Sequence, residues 1–351
     1  MKYLYILMTI IFVGCTSGTY EDDDNYFDTN VKDEPLFYQQ WAIDYNETFY
    51  NKFDINQDAN IHLNKNLGKY SGKGVKIAII DNGLDMKHED ITIYKSYSMI
   101  RENYDVNPYN SDDKHGTAVT GIIGARKNGK GILGISYNSD IIFIQMKNSM
   151  TESEMIEMFE KAKEFGADII NCSWGTYSAP DALKDEIKDL TTNGRDGKGI
   201  IIVFAVGNDD ESLDDSDIDD ESEIEGVIGV ASSNSDNLRA DYSNYGNGVD
   251  VIAPGGYWYG ITTTDIMGID GYSTNNYVEF DDNNAFVGTS AGAPVVSGII
   301  GLMLEKEPYL TLNEIMEIIK NRSDKIGNYN YENGRNNYYG YGKVNVDNYL
   351  Q

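Results

Sequence analysis

Cysteine, histidine and positive charge are all scarce in this chain of 351 residues. Its two cysteines, Cys15 and Cys172, cannot build a disulfide framework if the first serves another purpose. Lysines and arginines number 28 against 57 aspartates and glutamates, a formal net charge of −29. A surface of that sign is repelled by phosphates, which argues against nucleic acid or an anionic membrane as a partner. With His62, His88 and His115 as the whole histidine complement, chemistry that needs an imidazole has few places to be. The apolar run at the start, Met1 to Val13, is too short to cross a bilayer as a helix.

What is present suits one large α/β domain. Hydrophobic residues make up 40% of the chain, enough for a core. From Lys69 onward, apolar runs at 75–80, 141–146, 168–172, 200–206 and 227–231 alternate with helix patterns. That alternation predicts βαβ units and a mainly parallel β-sheet flanked by helices. Thr151-Glu152-Ser153-Glu154 is a capping-box pattern, and Met155, Ile156, Met158, Phe159 and Ala162 follow it on one apolar face. Further helices are predicted over 182–190, 295–305 and 312–321, the last opened by Thr311 and Glu314.

One stretch organises the chemistry: Gly288-Thr289-Ser290-Ala291-Gly292-Ala293-Pro294, ahead of the apolar run Val295 to Leu304. Pro294 fits the first turn of a helix, so the helix is expected to begin near Ser290 and to run through Glu305. A serine at a helix N-terminus is either a simple cap or a nucleophile whose oxyanion the unpaired backbone N–H groups favour. A nucleophile needs a base and an orienting carboxylate. Asp81 ends the strand pattern Val75 to Ile80, and His115-Gly116-Thr117 opens a helical run; His62 and His88 lack that setting and read as surface or packing residues.

Asp81, His115 and Ser290, in that order, resemble the triad of the subtilisin-like serine proteases. The resemblance covers roughly 34–351 and implies a serine endopeptidase on a single α/β domain. It makes Asp81, His115 and Ser290 catalytic, and Asn208 of Ala205-Val206-Gly207-Asn208 the side-chain donor of the oxyanion hole. It also implies that Ser173-Trp174-Gly175, with Ala205 and Gly207, lines the substrate cleft opposite 148–150 and pairs with peptide main chain. Glu34-Pro35-Leu36-Phe37 through Trp41 is similar to the opening of the kexin-type branch, although Asn82 stands where that branch carries a second aspartate. On that resemblance neither a folding propeptide before this opening nor the β-domain of kexins after the catalytic domain is expected. The resemblance also implies that the start of the acidic insertion 209–225 lies by the pocket for the residue before the scissile bond. A preference for Lys or Arg follows if Asp219 or Asp220 reaches the pocket floor; the alternative is a solvated or calcium-binding loop. Structural Ca²⁺ is expected at Glu34, Asp90 and Asn128.

Phe12-Val13-Gly14-Cys15 is similar to a lipobox, with Phe12 in place of the usual Leu. Residues 1–14 are therefore expected to be a signal peptide, 15–32 an acylated Cys15 with an acidic spacer, and 33–351 the peptidase domain. The mature protein would then be an extracytoplasmic lipoprotein touching the membrane through its lipid alone, or else be plainly secreted. Two other classes remain: an idle scaffold used for binding, and an esterase. The second would place Ser before Asp and His in a G-x-S-x-G elbow, which this chain lacks. Residues 257–284 form an aromatic and polar stretch, expected to be an exposed hairpin without an assigned role.

Overall fold

The computed structural model describes residues 32–351 apart from positions 64 and 216, so the Cys15 motif, the leader and nearly all of the spacer lie outside the described residues. Seven strands form one sheet: β1 (Lys76–Asp81), β2 (Ile93–Ser98), β3 (Asp140–Gln145), β4 (Ile169–Cys172), β5 (Ile201–Ala205), β6 (Val227–Ser233) and β7 (Val251–Pro254). Their order is β2-β3-β1-β4-β5-β6-β7, and every pairing in the sheet is parallel. Both faces of such a sheet are covered, which is why its central strands read as unbroken apolar runs. In β1, Ile77 and Ile79 pack into one core layer while Ala78 and Ile80 pack into the other. Each fully buried isoleucine contributes roughly 1.5–3 kcal/mol. Strand β2 carries no such run because it is an edge: Tyr94 and Lys95 face solvent, and the register slips between Ile93 and Lys95.

The helices are α1 (Glu47–Phe53), α2 (His115–Gly124), α3 (Glu152–Glu164), α4 (Asp181–Gly197), α5 (Thr289–Lys306) and α6 (Leu312–Arg322). Capping boxes open α3 at Thr151/Glu154 and α6 at Thr311/Glu314, as the sequence predicts. Helix α4 runs past the predicted end at Leu190, and it leaves helical geometry only at Gly194, Arg195 and Asp196. Helices α3 and α4 cover one face of the sheet, and α2 and α5 pack together on the other. A two-stranded antiparallel ribbon, β8 (Thr263–Thr264) and β9 (Tyr277–Val278), lies beside α2.

Helix α5 begins one residue earlier than expected, so Pro294 is its sixth residue and sits in the second turn. There a proline removes a real hydrogen bond, the one its N–H would give to the carbonyl of Ser290 four residues back. The Ser173 hydroxyl takes up that carbonyl instead, at 3.0 Å. A missing donor in one helix thus ties α5 to the end of β4.

Candidate active site

Strand order reverses at β1, whose two neighbours are β3 and β4, and ligands of open α/β sheets bind beyond the carboxyl ends of strands at such a reversal. Asp81 is the last residue of β1 and is buried. Its carboxylate faces Nδ1 of His115, the first residue of α2, at 2.9 and 3.0 Å. Gly116 follows so closely that a methyl group there would stand 2.5 Å from the Gly83 carbonyl, which lets α2 start against the end of β1. Burial by itself would lower the imidazole pKa, but the Asp81 charge and hydrogen bond outweigh it and raise the pKa above 6.5.

Ser290 is the second residue of α5 and is half-buried. It is not a cap. The cap position is Gly288, at φ 131°, a backbone setting that suits glycine, and that residue has no side chain of its own to cap the helix. The Ser290 hydroxyl instead donates to the Ser173 carbonyl at 2.9 Å. Its single proton is therefore turned toward Ser173 in this state, and passing it to the imidazole requires the hydroxyl to swing.

Beyond β5, Gly207 stands at φ 96°, with the Tyr177 hydroxyl so near that a methyl group on Gly207 would stand 2.1 Å from it. Next to it is the exposed Asn208, whose Oδ1 accepts from the Thr289 N–H at 2.8 Å and from the Thr289 hydroxyl at 3.0 Å. Occupying the oxygen end leaves the amide NH₂ as the end that can donate elsewhere. The Thr289 hydroxyl also accepts from the Gly207 N–H at 3.2 Å, so one threonine holds both residues. Sequence reasoning missed Thr289, although it stands directly before Ser290.

Ser173, Trp174 and Gly175 continue from β4, and Ala205 closes β5. Trp174 points its ring into the scaffold: Nε1 donates to the Ile80 carbonyl at 2.9 Å, and the ring meets Phe204 edge-on at 5.2 Å. In the insertion 209–225 most of 209–219 is exposed to solvent, while 220–222 are buried. Glu221 is fully buried and holds the Thr176 N–H at 2.9 Å and its hydroxyl at 2.6 Å. Asp219 is solvent-exposed and pairs with Lys184. Asp220 differs: it is buried, its Oδ2 has no partner, and that oxygen lies 3.0 Å from where a Gly175 side chain would begin. Burial pushes its pKa up to about 6 against the Ser222 bonds that lower it.

Glu34, Asp90 and Asn128 also meet. Glu34 Oε1 accepts from the Asn128 and Gly129 N–H groups at 2.9 and 3.0 Å, and Asp90 Oδ2 accepts from Ile132 at 3.2 Å. Glu34 Oε2 and Asp90 Oδ1 are buried without partners. Burial, with Glu34 opposite, pushes the Asp90 pKa up to about 7. The Asn128 NH₂ donates to the Glu89 carbonyl at 3.1 Å, which leaves its oxygen for another use. Lys130 is turned to Glu89, at 3.1 Å. Among the described residues no cluster of three or more His, Cys, Asp or Glu side chains forms a metal centre, but two carboxylates with orphaned oxygens and an amide fit an oxygen-liganded cation.

A parallel sheet with an Asp–His pair at its carboxyl edge and a serine at a facing helix start defines a class, and the comparisons agree with it. The model of the subtilase family, peptidase S8, matches residues 72–342, and the chain belongs to that family. It is 33% identical over 344 residues to a calcium-dependent protease of Trichormus variabilis, covering 88% of this chain and half of that relative's length. Subtilisin DY of Bacillus licheniformis is 30% identical over 282 residues, covering 79% of this chain and 91% of the relative. Two solved structures share the fold. They are a serine protease of Aeromonas sobria in complex with a chaperone, at TM-score 0.74 and 20% identity over 90% of this chain and 66% of that one, and a Pseudoalteromonas arctica protease, at 0.71 and 24% over 91% and 98%.

Proposed function

We propose that this protein is a serine endopeptidase that cleaves peptide bonds through an acyl-enzyme. The observation that carries the reading is the Asp81–His115 bond at the reversal point of the sheet, on a helix that packs against α5, where Thr289 links Asn208 to the start that carries Ser290. Ser290 Oγ attacks the scissile carbonyl while His115 takes its proton, and the imidazolium then returns that proton to the leaving amine. Asp81 holds the tautomer and stabilises the imidazolium, and the Asn208 NH₂ stabilises the oxyanion. The residues beyond β3 and β4 flank β1. Two strand spacings, about 9.6 Å, separate them, which is the width that admits one extended peptide between 148–150 and 173–175. Labelling by a fluorophosphonate tests this reading: wild type takes up the reagent and Ser290→Ala does not. A folded wild type that stays unlabelled favours the idle scaffold.

Within this reading the kexin-type resemblance supplies the specificity. The unpaired oxygen of Asp220 behind Gly175 is positioned to receive a Lys or Arg side chain before the scissile bond. A carboxyl with a pKa of about 6 is charged only above that pH, so the ratio of kcat/KM for Arg-ending over Leu-ending substrates rises as pH passes 6. Asp220→Asn collapses the ratio at pH 8, and a faster Leu substrate in wild type would overturn the assignment.

Calcium bound by Glu34, Asp90, Asn128 and neighbouring carbonyls supplies structural charge neutralisation there and no chemistry. The name of the Trichormus relative is consistent with such a requirement. Residues 1–14 serve as a signal and Cys15 carries the lipid that tethers residues 33–351 outside the cytoplasm. Cys15→Ser releases the protein from membranes if that is right, and leaves its partition unchanged if it is not.

A further inference from the structure

The ribbon 263–278, which has no assigned role, is fastened to the helix that carries His115. The hydroxyls of Thr263 and Thr264 donate to the carbonyls of Ala118 and Thr117 in α2 at 2.6 and 2.7 Å. Asp265, fully buried, accepts from the Ile266 and Ser273 N–H groups at 2.9 and 2.8 Å. Gly271 closes over that carboxylate so tightly that a methyl group would stand 2.2 Å from either oxygen. Its neighbour Tyr272 is therefore set by a frame and is not a free loop tip. The Tyr272 ring meets Phe286 edge-on at 5.5 Å, and Phe286 meets the His115 ring edge-on at 5.4 Å. The Lys114 ammonium lies 4.9 Å from the centre of the Tyr272 ring.

This wall stands on a definite side of the reaction. Ser290 is tied to Ser173, so the acyl half of a substrate lies toward 173–175. Asp81 holds Nδ1 of His115, so Nε2 must hand the proton to the leaving amine, and the first side chain of the leaving half lies beyond the imidazole. We infer that Tyr272, backed by the buried Phe286 and flanked by the Lys114 stem, forms the subsite for that first leaving-group residue and selects a large apolar side chain there. The partly exposed Tyr272 ring, backed by the buried Phe286, offers apolar surface and edge contacts, and Lys114 repels a basic side chain. The inference rests on the acyl-enzyme reading above.

By microscopic reversibility, the site that releases an amine also receives one. The test is acyl transfer from a peptide methyl ester to phenylalaninamide or glycinamide in competition with water. Methanol leaves with a proton from His115; the amine nitrogen then bonds to the acyl carbon as the C–Oγ bond breaks, and its proton returns through His115 to Ser290. Wild type is expected to favour phenylalaninamide by on the order of tenfold, the scale of apolar pocket selectivity. Tyr272→Ala loses most of that preference and Tyr272→Phe keeps it. The ratio is measured within one acyl-enzyme population, so partial misfolding does not change it. A ratio unchanged in Tyr272→Ala, or a wild type that favours glycinamide, overturns the subsite while leaving the peptidase reading intact. A protein that neither hydrolyses the ester nor takes up fluorophosphonate overturns both.

Discussion

Thr289 and Asn208 behave as one device. The threonine uses its N–H and its hydroxyl on the same amide oxygen, and so aims the NH₂ where an oxyanion would form. Loss of that donor in Asn208→Ala is expected to lower kcat by about 10²–10³ with little change in KM, a magnitude that comes from subtilisin itself. Steady-state kinetics on one peptide substrate reads it, and a KM effect alone would contradict the role. At His115 the sign is set by competition: burial lowers the pKa, and Asp81 raises it further than burial lowers it. The base must be neutral, so kcat/KM rises with pH through an inflection above 6.5. In Asp81→Asn only the burial effect remains, and the inflection moves down while kcat falls by on the order of 10⁴. Asp81, His115, Ser290 and Asn208 stood out in the sequence because the first ends a strand, the next two open helices, and Asn208 follows Gly207 just past a strand. Thr289 was not, because its task lies in a contact between segments 81 residues apart.

Among the elements, the helices with capping boxes and the buried strands β1 and β3 to β6 carried their signatures plainly, whereas β2, the short β7 and the ribbon did not. An edge strand such as Ile93–Ser98 alternates no apolar face, and a two-residue strand has no period to detect. Pro294 misled for a physical reason: its usual place is the first turn, and here Ser173 compensates the carbonyl it abandons in the second. The loop 126–132 is the element that metal removal should expose. Glu34 and Asp90 each keep a buried oxygen without a partner, so a cation that joins them stabilises the native state by linkage. Chelator is expected to lower the melting temperature by about 5 °C. Glu34→Gln combined with Asp90→Asn should abolish the difference, and a wild-type Tm indifferent to chelator would argue that the cradle is empty in solution.

At the scale of the whole molecule, the sheet order does the assembling. Placing β1 between β3 and β4 opens the crevice at Asp81, and packing α2 against α5 brings the starts of both helices to the same edge. The proposed site draws on residues separated by 34 and 175 positions, a grouping that no local pattern encodes and that the order of motifs alone suggested. The acidic insertion was only half legible: composition marked it, while its division into the exposed, paired Asp219 and the buried Asp220 with an unpartnered oxygen came from packing against Gly175 and Lys184. The central claim is that Ser290 and His115 act as a unit, and a double-mutant cycle tests it most directly. Ser290→Ala and His115→Ala are each expected to lower kcat by on the order of 10⁶, and the double variant to be no slower than either. Losses that multiply in the double variant would show two groups acting independently, and would contradict the account.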